Sequence, residues 1–422
     1  IRQLYARKPK TILLIFLAVF CRLIITMPTG VLSHFSRLFM RFFKLFFAIT
    51  CLFSSSLCYG QLNNSALTQT IPVKPGNANE IRFGLHAFGF SKNNEYFNKI
   101  ADGYTLFGYH LNPKLIYQPA PTVRIDAGVF LWKDFGSSGY EDIAPTFSIK
   151  LLKENWSLTF GTLEGNLAHG YIEPLYDFER VILNRLENGL QYKMQTHRFK
   201  ADAWLNWANM LYRGEDDQEQ VDGGAVVAYT LIEQAGRRNL DDSIKLTLPF
   251  QFTAQHKGGQ IDASDLPLLT VANVAVGFEL EKKYSRHILH RLYTKNYVLG
   301  YKDFSNTVRL PFEKGHGIYL NVGADTKYQD VMLSYWKGDG YITELGGKLY
   351  QSASTTFKNP DYLQEEWEVL ILRLMKDFEI VDNLYVTLRL EPFINFDDPK
   401  LEFSNSIYLT FDTDFFLAKP RK

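Results

Sequence analysis

The sequence predicts an all-β fold, a transmembrane antiparallel up-and-down β-barrel of about 16 strands, with 14 to 18 as the range. Three observations predict it. Segments of alternating polarity, longer than ordinary strands, recur from residue 80 to residue 417. The connections between them alternate between short and long. Aromatic residues make up 15% of the 422 residues, with 24 Tyr and 33 Phe, a composition suited to strands and to the girdles at the two membrane surfaces. The mean hydropathy of -0.15 excludes a bundle of membrane helices. It agrees with a barrel, in which half of each strand faces water.

Taken in order, the chain opens with a leader. Residues 1–60 carry eight Lys or Arg, no Asp or Glu, and all three cysteines, Cys21, Cys51 and Cys58. The rest is mildly acidic, with 38 basic against 45 acidic residues, so no nucleic-acid partner is expected. It also has no thiol and can form no disulfide. Met40 is a better start than Ile1, which makes residues 1–39 a spurious extension. From there Arg41 and Lys44, the apolar run 45–57 and the small residues Cys58 and Gly60 form a cleavable secretory signal over residues 40–60. A transit peptide, a membrane anchor over residues 12–26 and a lipoprotein at Cys58 are the alternatives. Residues 61–79, polar and with Pro72 and Pro75, read as a periplasmic lead-in before a single barrel domain over residues 80–417 and a tail at 418–422.

The barrel strands follow from period-two alternation. Ile81, Phe83 and Leu85 alternate with Arg82, Gly84 and His86; Val123, Ile125, Ala127, Val129 and Leu131 alternate with Arg124, Asp126, Gly128, Phe130 and Trp132. Similar segments are expected at 104–118, 143–152, 156–163, 189–196, 197–207, 221–233, 243–255, 269–281, 287–301, 317–324, 328–336, 363–376 and 384–395. The last, 401–417, is the clearest. Leu401, Phe403, Ile407, Leu409 and Phe411 share one face, while Glu402, Ser404, Ser406, Asp412 and Asp414 share the other. A tilted strand needs roughly 9 to 11 residues to cross a bilayer, and this segment has that length.

Short connections at 119–121, 153–155, near Thr196, 282–286 and 325–327 alternate with long ones at 91–103, 164–188, 208–220, 256–268 and 337–362. That is the pattern of short periplasmic turns and long outer loops. Segments 234–242 and 396–400 fit it less well.

With these strands, the aromatic content and the leader, residues 80–417 resemble an outer-membrane β-barrel of the porin type. The Gly60-Gln61 junction resembles the export signals of Bacteroidota. The resemblance implies a place in a Gram-negative outer membrane, among lipid and lipopolysaccharide, and insertion by a barrel assembly machinery. It implies a channel for small polar solutes and allows a homo-oligomer. Phe415 and Phe416 are followed by further residues, whereas such barrels often end on an aromatic.

The 164–187 loop is the candidate constriction. Pro174 opens a helix-like piece running to Glu187, with Leu175, Phe178, Ile182 and Leu186 at helical spacing. Folded inward, the loop would set charges across the pore from Glu164, His169, Glu173, Asp177, Glu179, Arg180 and Arg185; the plainer reading is a loop packed on the rim. Strand parity points Arg82, Arg124, Lys245, Arg291, Lys295 and Arg389, with Asp126, Glu391, Asp412 and Asp414, into the lumen. The acidic stretch 213–220 reads as a solvated loop and 256–262 as a glycine turn. His287 and His290 are three apart, but on a strand they point to opposite sides. No HExxH, GxSxG or P-loop is present, so neither a cofactor nor an enzyme is expected. A barrel enzyme acting on lipid or lipopolysaccharide, and a closed barrel for attachment or assembly, are the alternatives to a channel.

Overall fold

In the computed structural model, residues 62, 64–235, 242–285, 288–307 and 309–420 are described. The leader, and with it the expected signal peptide, lies outside them. Sixteen antiparallel strands close into one barrel, each paired with its sequence neighbours and the last with the first. They are β1 (Glu80–Glu95), β2 (Thr105–Ala120), β3 (Val123–Asp134), β4 (Asp142–Lys153), β5 (Trp156–Thr162), β6 (Asn188–Gln195), β7 (Phe199–Asn209) and β8 (Gln220–Ala235). They continue with β9 (Ser243–Lys257), β10 (Leu269–Lys283), β11 (Leu289–Asp303), β12 (Lys314–Thr326), β13 (Asp330–Asp339), β14 (Glu366–Val381), β15 (Leu384–Asn395) and β16 (Leu401–Ala418). The expected class and strand number therefore hold. Closure removes the sheet edges, and every strand's backbone groups find partners within the wall.

Alternation decides which face meets lipid. Along β16, Leu401, Ile407 and Leu409 are exposed while Glu402, Ser404, Ser406, Tyr408 and Thr410 are buried. Register locks this in place, because a one-residue slip against β1 would turn every carboxylate toward lipid. Two boundaries differ from expectation. β1 runs on to Glu95 through Lys92 and Asn94, since both polar side chains find partners inside. The 164–187 loop holds only one α-helical turn, α1 (Arg180–Leu183), and a 3-10 turn at Asn166–His169. Its apolar residues contact walls on several sides, which releases the segment from a single amphipathic face.

The lumen contains a core. Ile172, Leu175 and Tyr176 of this loop pack with Trp204, Tyr319, Trp336 and Trp367 from the walls and with Tyr341 and Ile342 from the loop after β13. The lead-in also enters the barrel: Leu62 packs beside Tyr293, Met332 and Met375, and Leu67 beside Phe88 and Phe178. It is thus folded against the inner wall, because burying these side chains removes apolar surface from water.

Candidate functional site

The inward loop reaches opposite sides of the barrel. Glu179 meets Lys92 of β1 at 2.7 Å and also contacts Asn94 and the Tyr104 hydroxyl. On the far side, the Ile172 amide donates to Gln251 of β9 at 2.9 Å, and the Tyr171 hydroxyl donates to the Phe252 carbonyl at 2.8 Å. Gly224 on β8 permits this approach, since a Cβ there would lie 2.3 Å from the Tyr171 hydroxyl. β1 and β9 are diametrically opposed in a ring of sixteen, so the loop crosses the lumen.

Each expected constriction residue is inside. Glu164 receives Lys150 at 2.6 Å, Lys193 at 2.5 Å and the Ile71 amide at 2.9 Å. Glu173 bridges Arg373 of β14 and Arg389 of β15, the latter at 2.6 Å, and both arginines share Glu391. Asp177 accepts the Glu179 amide at 3.0 Å; burial and then the charge on Glu179 raise its carboxyl to about 7. Arg185 donates to His86 at 3.1 Å and Gln69 at 3.0 Å. Arg180 stands over the Tyr176 ring at 4.8 Å.

His169 is held by two carboxylates, Glu187 at 2.8 Å and Asp202 at 3.2 Å. Burial favours the neutral ring, but Glu187 and Asp202 outweigh it and raise the group to about 9. An imidazolium anchored at both nitrogens cannot serve as a general base. It is a structural ion with a pH signature. Because its folded value is raised, its contribution is complete below the unfolded value of ~6.5 and is lost as pH rises toward 9. Hydrogen-exchange protection of residues 164–187 is therefore expected to hold at acidic to neutral pH and to fall across that window. H169Q should flatten the profile.

The strand-borne charges lie on the inner face of the wall, most of them in ion pairs. Arg82 pairs with Asp414 at 2.5 Å, Arg124 with Asp126 at 2.7 Å, Arg291 with Asp325 at 2.6 Å and Lys295 with Glu279 at 2.6 Å. Asp412 approaches His86 at 3.4 Å, and Lys245 stands in register opposite Glu281. Sequence reasoning missed Lys92, Arg373, Lys150 and Lys193. Arg373 was hidden because Trp367, Val369, Ile371 and Met375 on its own side are apolar, as are Leu370, Leu372 and Leu374 on the other.

Two cavities flank the loop. An outer cup of about 640 Å³ lies between α1 and the loops after β11 and β13. A chamber of about 350 Å³, lined by Asn64, Thr68, Tyr171 and Lys200, lies on the side of the N-terminal segment. Asp177 lines both, so residues 173–178 form the partition between them.

A further arrangement lies on the outer face of the wall. His256, one residue from the outer end of β9, places Nδ1 2.8 Å from the Thr270 hydroxyl of β10. Their neighbours Gln255, Leu269 and Val271 are buried inside, so both side chains point outward. The Thr270 amide donates to Ser305 at 2.8 Å, and exposed Leu268 and Phe304 lie alongside. Lys302 and Lys314 face each other farther along the same rim. An imidazole against a hydroxyl is a base beside a nucleophile. No sequence motif marked it, because the two residues sit on different strands. His287 lies outside the described residues, and among the described residues no group of three or more His, Cys, Asp or Glu is arranged to hold a metal ion.

The family described as Lipid A 3'-O-deacylase-type matches residues 73–420. No curated protein matches the chain. Similar solved structures include a loop-deleted OmpT, an outer membrane protein of Vibrio cholerae, at 11% identity and TM-score 0.45, covering 79% of this chain and 99% of that one. OprD from Pseudomonas aeruginosa has 11% identity and TM-score 0.40, with 81% and 97% covered. An anion-selective porin from Comamonas acidovorans has 10% identity and TM-score 0.44, with 79% and 99% covered. The chain itself closes into a sixteen-stranded antiparallel barrel. The expectation that it is not an enzyme is corrected by the family match, which points to ester hydrolysis. The absence of a local motif misled because a barrel wall can bring together residues from different strands that no contiguous motif joins.

Proposed function

Since the chain belongs to the Lipid A 3'-O-deacylase-type family, we propose that it is an outer-membrane hydrolase releasing an acyl chain esterified to the 3' oxygen of a lipid A-type glycolipid. The observation that carries this reading is the extent of the match, residues 73–420, which takes in every strand of the barrel. The His256–Thr270 pair supports it by placing a base and a hydroxyl on the lipid side near the outer rim. In this reading the Thr270 oxygen attacks the ester carbonyl as its proton passes to His256. The sugar oxygen departs with that proton, and water then frees the acyl chain from Thr270. In this reading Lys314, and Lys302 beside its partner Glu313, supply the positive charge on that rim for glycolipid phosphates.

The test is mass spectrometry of lipid A from lipopolysaccharide vesicles incubated with the refolded full chain. Loss of one acyl mass together with free fatty acid is expected. Unchanged lipid A would sink the reading.

Passive diffusion of small polar solutes is the second reading, favoured by the polar cavities on either side of the inward loop. Against it stand the ion pairs that tie this loop to opposite walls. A planar-bilayer recording separates the two: the hydrolase reading expects no steady conductance, whereas the channel reading requires one.

A further inference from the structure

We propose that the outer cup is a binding site for an anionic saccharide, a sugar phosphate or a uronate, whose charged group is held by Arg180. This goes beyond acyl-ester hydrolysis and does not depend on it.

Arg180 projects from α1 into the cup, and its Nε is buried without a hydrogen-bond partner. Among the described residues no carboxylate lies within ion-pairing distance of it. Of the other arginines of the lumen, Arg373 and Arg389 are neutralised by Glu173 and Glu391. Arg185, whose Nη1 is also buried without a partner, lies outside the cup, among His86, Gln69 and the Phe88 ring. Glu187 and Asp222 act on Arg180 only from beyond ion-pairing distance, and its planar fork matches a phosphate or carboxylate that could bind directly. The Tyr176 ring backs it at 4.8 Å and fixes its plane.

The remaining lining fits the sugar. Asn184, Thr343, Gln351 and Thr355 offer neutral donors and acceptors, while Leu310 and Pro311 offer apolar surface for the C–H face of a ring. Glu344, an acid on the lining, is engaged by Lys257 at 3.2 Å, and Asp361 is exposed. A volume of about 640 Å³ is that of a small-molecule site.

The anion could come from a membrane glycolipid headgroup or from free sugar acids, and the test distinguishes them. Refolded full chain would be titrated calorimetrically with glucose 1-phosphate, galacturonate, neutral glucose and a fully deacylated lipopolysaccharide headgroup. Binding of the anionic probes but not glucose is expected, with affinity falling at least about tenfold in R180Q and partly restored in R180K. L310W, which narrows the cup while leaving Arg180 in place, should also weaken binding and guards against a misfolded R180Q. Tighter binding of the headgroup than of the free sugars assigns the membrane source; the reverse assigns the free one. No binding of any anionic probe, equal binding of glucose, or undiminished binding by R180Q would overturn the proposal.

Discussion

Replacing His256 with asparagine is expected to lower acyl release from lipid A by about 10²- to 10⁴-fold, the usual contribution of a positioned general base. Asparagine keeps a polar group near the Thr270 hydroxyl, 2.8 Å from the native ring, but cannot accept its proton at neutral pH. The site lies on the outer surface at the end of β9, so the substitution touches neither the lumen core nor the barrel closure. Heat-modifiable migration should be unchanged. Thr270→Val then separates two chemistries. Equal loss in both variants identifies Thr270 as the nucleophile, while loss confined to H256N means that His256 activates water. Full activity in H256N would show that the pair only holds the rim together.

Glu173→Gln should loosen the inward loop by about 3–5 kcal/mol, the cost of removing one partner from a buried ion cluster. In the native cluster Glu173 and Glu391 balance Arg373 and Arg389, and both arginines are almost fully buried. Without Glu173, two buried guanidinium groups share one carboxylate. Faster hydrogen exchange is expected at the Ile172 and Tyr176 amides, and bilayer recordings should show intermittent conductance absent from the native protein. Replacing Glu173, Arg373 and Arg389 together with apolar residues should cost less than E173Q alone, because no charge is then stranded. Unchanged loop protection in E173Q would show that the aromatic core anchors the loop without help from the ions.

The inward positions of Arg124 and Asp126 were readable because a strand has a period of two and their neighbours Val123, Ile125 and Ala127 are apolar. β14 broke this reading: both its faces are apolar, one against lipid and one against the lumen core, so Arg373 carried no parity signal. The 164–187 loop could be singled out from its length and charges. Its partners could not be, since Glu173 meets an arginine 216 residues away. Likewise His256 and Thr270 flank an outer loop and appear in sequence only as polar interruptions of a lipid-facing row.

The sequence by itself determined the strands, their number, the lipid-facing side and the inward charges, because alternation is a local property imposed by backbone geometry and by the two solvents. Tertiary structure alone decided that the loop crosses the lumen, that no carboxylate comes within ion-pairing distance of Arg180, and that an imidazole meets a hydroxyl at the rim. Those outcomes depend on barrel closure and register, which bring distant residues together through contacts that no local pattern encodes.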